Sequence, residues 1–249
     1  MAWLPDFGTL VGEDILDRLA DGGRVDDPTA GRIEGRQAFE TYLRESAEWL
    51  HERRAEIRFV ASTAASPRVV GEYEVDLADG QRRFTLPVAV VVEQPSGEHP
   101  AWVRIYHSLW PLLGRHRVRP QLLPSDPTLR ESDVVGEYQA ALAAGDAERI
   151  VATFEADGCF REPAGPQYRV CGTDNLMPFY THFFDFGGGI VLEHCTVTED
   201  GVRSALEFNA VRWGNVDLTA QAGVGVYERG RTGRIAHARV YDDVEGPAE

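Results

Sequence analysis

Residues 103–108 read VRIYHS, and residues 238–243 read ARVYDD. Each stretch places an Arg, a β-branched residue and a Tyr in a row and closes on a polar pair. The same separation of 135 residues that links Arg104 to Arg239 also links Glu93 to Glu228, Glu72 to Glu207 and Pro28 to Pro163. One offset held over so long a span is an internal repeat, and a repeat must be read before any single element. The register slips only after the proline. Gly35 there matches Gly172 at an offset of 137, a two-residue insertion in the second copy that a later deletion absorbs.

Between the copies lies GRHRVRPQLLPSDPTLRES (114–132), with three prolines and little apolar periodicity. It reads as a linker and puts the domains at 1–124 and 125–249. In the second copy Val134, Val135, Tyr138, Ala141 and Leu142 recur at helical spacing, closed by Gly145. Further helices are expected over about 147–156 and 173–185, then period-2 runs over about 190–198, 203–213, 217–228 and 234–242. In the first copy GEYEVDL (71–77) alternates, which points Tyr73, Val75 and Leu77 inward and Glu72, Glu74 and Asp76 outward. Helices followed by an antiparallel meander define an α+β class, with helices packed on one face of a curved sheet. The first copy is short at its start. The position matching Tyr138 is Trp3, so helix one is expected to be missing there, with residues 1–10 and Trp3 available as a plug.

Composition narrows the function. The chain has 249 residues, 43% hydrophobic, with five Trp and a formal charge of −15. That charge argues against nucleic acid or an anionic membrane as partner. Every basic residue is Arg, which fits a GC-rich coding sequence. No stretch approaches a membrane span and the N-terminus lacks the pattern of a secretion signal, so a soluble cytoplasmic protein is expected. Cys159, Cys171 and Cys195 fit no zinc spacing and are read as buried thiols of a reducing compartment. GGG at 187–189 leads into a strand and is not a phosphate loop. His51, His99, His116, His182 and His194 show no ligand spacing, and neither metal nor cofactor is expected.

The run GEYQAALAAGDAERIVATFEADGCFREPAG (136–165), the segment CGTDNLMPFY (171–180) and the final RVYDD resemble the nuclear transport factor 2-like superfamily. Within it they are most similar to ketosteroid isomerase and the SnoaL-like polyketide cyclases. The first copy joins through DDPTAGRIEG (26–35) and its later strands. The resemblance implies two tandem cone-shaped domains, each a bent sheet around a helix with an apolar cavity. It also implies that the two copies superpose with sheets packed together, as an intrachain pseudo-dimer, with a further homodimer left open.

The family's general base, a carboxylate one residue before Pro, falls on Glu162. Its hydrogen-bond donor to the substrate oxyanion falls on Tyr138. A carboxylate at an apolar cavity mouth loses hydration, which moves its pKa toward neutrality, and a neutral phenol stabilises an enolate without carrying charge. The family's second donor, a protonated acid, falls on Gly225 and is missing here, with Gln221 as a replacement. If the last strand keeps the family's alternation, Asp242 faces the same pocket, and Asp27 and His107 converge in the first copy's pocket. Phe183, Phe208 and Tyr227 are then substrate contacts or side chains that fill the pocket.

Each residue has a plainer reading. An acid before Pro is also a turn former, Tyr138 a core residue, Asp242 part of a solvated tail and His107 structural. Two functions are therefore carried forward. One is acid–base isomerase or cyclase chemistry on a small hydrophobic molecule. The other is a ligand-binding or scaffold protein without catalysis, and an open or filled pocket tells them apart.

Overall fold

A computed structural model describes residues 17, 19, 21–94, 101–185 and 187–247. The chain divides into two compact units, residues 1–107 and 108–249. The expected absence of helix one and the Trp3 plug in the first copy fall outside the described residues.

The first unit carries β1 (Arg24–Asp27), β2 (Gly31–Glu34), helix α1 (Arg36–Glu52), then β3 (Glu56–Ala65), β4 (Arg68–Asp79), β5 (Arg82–Glu93) and β6 (Trp102–Tyr106). The second opens with a short helix α2 (Trp110–Leu113), then α3 (Val134–Ala144), α4 (Ala147–Thr153), β7 (Phe154–Arg161) and β8 (Arg169–Cys171). Helix α5 (Thr173–Phe183) and the strands β9 (Ile190–Glu199), β10 (Arg203–Trp213), β11 (Val216–Arg229) and β12 (Ile235–Tyr241) complete it. The sheets run β2-β1-β6-β5-β4-β3 and β8-β7-β12-β11-β10-β9, one order used twice.

The repeat extends to the hydrogen-bond register. Asp26 pairs with Arg104 in the parallel β1/β6 ladder, and Arg161 pairs with Arg239 in the parallel β7/β12 ladder. Glu72 faces Ala89 as Glu207 faces Val224, and Val91 faces Arg104 as Val226 faces Arg239. Even the irregularities coincide. The β3/β4 ladder breaks between Phe59 and Ala61, and the β9/β10 ladder skips Cys195, which lies 135 residues beyond Val60. The two-residue slip is visible as well, because Gly35 and Gly172 open equivalent helices at φ 83° and 80°. These left-handed values suit glycine and leave no side chain to cap the helix.

Local chemistry explains the helix starts of the second unit. Asp133 accepts from the Val135 N–H at 2.9 Å, and Asp146 from the Arg149 N–H at 3.0 Å, so both carboxylates satisfy otherwise orphaned donors. Gly145 ends α3 at φ 70°. Helices α3, α4 and α5 turn Val135, Tyr138, Leu142, Ile150, Leu176 and Tyr180 onto the sheet residues Phe160, Leu206, Tyr227 and Ala238. Phe183 and Trp213 extend this cluster toward one end of the sheet.

Two expectations need correction. Cys159 and Cys171 are joined in a disulfide, where free thiols were expected. They are directly opposed in the β7/β8 ladder with Cα atoms 4.1 Å apart, a pairing that sequence spacing does not reveal. Cys195 takes no part in a disulfide. Glu72, expected to face solvent, is fully buried, as is its counterpart Glu207. Glu207 accepts from the Thr196 hydroxyl at 2.7 Å, so this position is a hydrogen-bonded acid beside the bulge, on neither a solvated nor a purely apolar face. Among the described residues no helix is long and apolar enough to cross a membrane.

Candidate functional site

The ends of β7 and β12 lie side by side in a parallel ladder, so the residues that follow them leave the sheet together. Glu162 follows β7 and Asp242 follows β12. Both line a cavity of about 360 Å³ in the second unit. Tyr138, Phe183, Phe208 and Tyr227 line it too, amid mostly aliphatic and aromatic neighbours.

The polar groups differ in how they are held. Glu162 anchors its backbone by donating N–H to the Tyr168 carbonyl at 3.1 Å, while its carboxylate has no hydrogen bond or ion pair among the described residues. Loss of hydration raises its pKa. Asp242 accepts one weak bond from the Val244 N–H at 3.3 Å. Desolvation pushes its carboxyl up to about 6, with the Asp243 and Glu162 charges acting in the same direction. The Tyr138 hydroxyl lies 3.0 Å from that of Tyr180. Burial raises the pKa of both phenols, and of Tyr227, well above the ordinary phenol value. They are therefore hydrogen-bond donors at neutral pH and not anions.

Gly225 has a steric explanation. A Cβ built there would stand 2.6 Å from the Tyr227 hydroxyl. Tyr227 lies two residues on along the same face of β11 and folds back over the glycine, so its phenol occupies the space a side chain at 225 would need. A Cβ at Gly223 would likewise meet Phe208 at 2.6 Å and the Asp242 Cβ at 2.8 Å.

Gln221, expected as the replacement donor, does not line the cavity. Its backbone bridges to Pro120. Its side-chain carbonyl accepts from the Glu245 N–H at 2.9 Å, so the amide holds the C-terminal segment.

The first unit does not repeat this arrangement. Asp27, the counterpart of Glu162, accepts from the N–H groups of Thr29 at 2.7 Å and Ala30 at 2.8 Å and from the Tyr42 hydroxyl at 3.0 Å. It is a buried turn-forming acid. His107 is buried. A groove of about 550 Å³ in this unit is lined by Gly22, Arg24, Glu34, Gly35, Glu93, Ala101 and Trp102, with neither Asp27 nor His107 among them.

Trp110 and His116 were missed as cavity residues because they lie in the stretch read as the end of the first domain and the linker. They complete one wall, with rings 4.8 Å apart. The apolar cluster SLWPLL (108–113) was the available signal. Asp243 fixes this wall. It accepts from the Ser108 hydroxyl at 2.7 Å and the Arg117 N–H at 2.8 Å, and lies 2.9 Å from His116 Nδ1. Among the described residues no group of three or more His, Cys, Asp or Glu is placed to hold a metal ion.

The second unit thus combines a six-stranded sheet, helices packed on it and an apolar cavity lined by two acids and buried phenols. The SnoaL-like domain family matches residues 135–238. The match lies within the second unit, and the first unit repeats its strand order. No curated protein sequence matches the chain. Similar solved structures include an NTF2-like protein of unknown function from Cytophaga hutchinsonii, 19% identical, covering 47% of this chain and 95% of its own, TM-score 0.36. A SnoaL-like protein of unknown function from Burkholderia thailandensis is 16% identical over 42% of this chain and 88% of its own, TM-score 0.35. A protein of ketosteroid isomerase-like fold from Catenulispora acidiphila, in complex with trimethylamine, is 14% identical over 45% of this chain and 87% of its own, TM-score 0.38.

Proposed function

We propose that the second unit binds a small, neutral, hydrophobic carbonyl compound and moves a proton on it by acid–base chemistry. The observation that carries this reading is the pair of desolvated carboxyl groups, Glu162 and Asp242, in one apolar cavity without an arginine partner among the described residues. A structural ion-pair network would offset their charge. Here the cost of burying charge is left in place, which is how a carboxylate becomes a base near neutral pH. Glu162 is the general base, Asp242 the second proton carrier, and Tyr138, backed by Tyr180, the donor to the substrate oxygen.

The cavity is open, which favours a ligand over a filled scaffold. Catalysis and binding without turnover are separated by one experiment. 2-Tetralone is dissolved with the protein in D₂O, and loss of its α-proton signals is followed by NMR. Exchange above buffer background, reduced roughly 10²–10⁴-fold by Glu162→Gln, supports the acid–base reading. Saturable binding without exchange supports a carrier.

A further inference from the structure

The cavity holds two carboxyls and several phenols, but a reaction that takes a proton from carbon also needs a group that can give one to oxygen. Tyr138, 3.0 Å from the Tyr180 hydroxyl, can polarise that oxygen by hydrogen bonding, but burial raises its pKa and makes it a poor source of a whole proton. His116 is the remaining candidate on the wall, and it is positioned as an acid would be. Its Nδ1 lies 2.9 Å from Asp243 Oδ1. Asp243 is itself buried and fixed by the Ser108 hydroxyl and the Arg117 N–H. The Trp110 ring packs on the imidazole at 4.8 Å. With Nδ1 occupied, Nε2 is the nitrogen left for a ligand.

Resting on the acid–base reading above, we propose that His116, oriented by Asp243, is a catalytic residue of this cavity and supplies the proton to the substrate oxygen. The steps balance without an oxidant or reductant. The Glu162 carboxylate takes the proton from the carbon next to the carbonyl. The C–H electron pair becomes the enol double bond, and the carbonyl π pair takes the proton from Nε2–H. Return of both protons, to the same carbon or to its vinylogous neighbour, regenerates imidazolium and carboxylate and leaves the substrate exchanged or isomerised. The substrate class is a neutral ketone or enone whose oxygen reaches the Trp110–His116 wall.

The acids facing His116 are Asp243, Asp242 and Glu245, and its sequence neighbours Arg115 and Arg117 are exposed. The Asp243 hydrogen bond raises the imidazole above its ordinary value. Protonated His116 and ionised Asp242 therefore coexist above about pH 6.

The test is 2-tetralone exchange against pH. The wild type should give a bell, rising as the carboxylate base ionises and falling where His116 loses its proton. His116→Gln should lower exchange at least tenfold and remove the falling limb while keeping the rising one. Asp243→Asn should move the falling limb to lower pH. His182→Gln, an exposed histidine outside the cavity lining, should match the wild type. The His116 Cε1–H resonance should shift when 2-tetralone binds. A His116→Gln variant with wild-type rate and wild-type bell, alongside an inactive Glu162→Gln, would overturn this inference alone. So would a His116 resonance unmoved by saturating 2-tetralone. A wild type that binds without exchange takes the acid–base reading down as well.

Discussion

Ser108 and Asp243 occupy the same position in the two copies of the repeat, 135 residues apart, and they are hydrogen-bonded to each other at 2.7 Å. The polar pair at the end of each last strand, His-Ser in one copy and Asp-Asp in the other, has thus diverged into partners. Asp243 gathers the segment that follows β6, while Asp242 stays on the cavity wall. Hydrogen bonds to a buried carboxylate are each worth about 1.5–3 kcal/mol, so Ser108→Ala should destabilise the second unit by about that amount. The pH dependence has two sides. The pKa of Asp243 is depressed, so its contribution is present above its ordinary value of 3.8 and is lost as the pH falls through the lower folded value. That of His116 is raised, so its contribution is full below 6.5 and fades as the pH climbs through the elevated value. Urea unfolding of the wild type and Ser108→Ala across pH 3–9 checks both.

Asp242 has the opposite sign to Asp243. Its folded pKa of about 6 exceeds the ordinary 3.8, so between these values the folded state binds the extra proton and stability falls as pH rises. Asp242→Asn removes a desolvated charge and keeps the shape. The variant should be more stable than the wild type at pH 7, by on the order of 1–3 kcal/mol, and indistinguishable from it at pH 4. Thermal melts at the two pH values decide this. A less stable Asp242→Asn at pH 7 would show that the carboxylate is compensated after all.

Tyr227 and Gly225 form a steric pair. Gly225→Ala puts a methyl carbon 2.6 Å from the Tyr227 hydroxyl, so the phenol must move. Overpacking of this kind costs about 1–3 kcal/mol. Removing the hydroxyl should relieve it, so Tyr227→Phe should be less harmful in the Gly225→Ala background than alone. A double-mutant cycle measures that coupling, and additive effects would refute the contact.

The disulfide gives a prediction that needs no substrate. Cys159 and Cys171 close a loop with a sequence separation of 12. Chain-entropy arguments give such a loop about 3 kcal/mol. Reduction should lower the melting temperature of the wild type, and Cys159→Ser with Cys171→Ser should reproduce the reduced value. Alkylation followed by mass measurement reports whether the bond is present in a given preparation.

The fold was legible because the repeat offset constrains many positions at once. Arg104 with Arg239, Glu72 with Glu207 and the glycine pair at 35 and 172 each demand an equivalent backbone, and the ladders supply it. Period-2 runs placed β10 at its observed limits because its alternation is bounded by turn residues on both sides. The placement of Glu162, Asp242 and Tyr138 around one cavity came from the family resemblance, since nothing in local pattern brings residues 138, 162 and 242 together. What stayed hidden depends on contacts distant in sequence. The segment that carries Trp110 and His116 is tied to Asp243, more than 120 residues on, and a proline-rich stretch carries no periodicity to reveal that. Gln221 was misplaced for the same reason. Its strand was read correctly, but its amide is taken by the Glu245 backbone, which no strand pattern reports.

Asp27 and Glu162 stand at matching positions, each one residue before a proline, and should respond to mutation in opposite ways. Asp27 accepts three hydrogen bonds, from Thr29, Ala30 and Tyr42, and is buried. Asp27→Ala strips the turn of its acceptor and leaves the buried Tyr42 hydroxyl without this partner, at a cost of about 2–4 kcal/mol. Glu162 has no such bonds among the described residues, and its carboxylate sits desolvated on the cavity wall. Glu162→Gln should therefore change stability by less than about 0.5 kcal/mol, or raise it slightly. A residue kept for the fold loses stability when replaced, and a residue kept for chemistry does not. Hydrogen exchange resolved by segment assigns each effect to its own unit, which a single melting curve for a two-unit chain would not. If Glu162→Gln cost as much as Asp27→Ala, Glu162 would be a second turn former, and the case for a base at this position would fall with it.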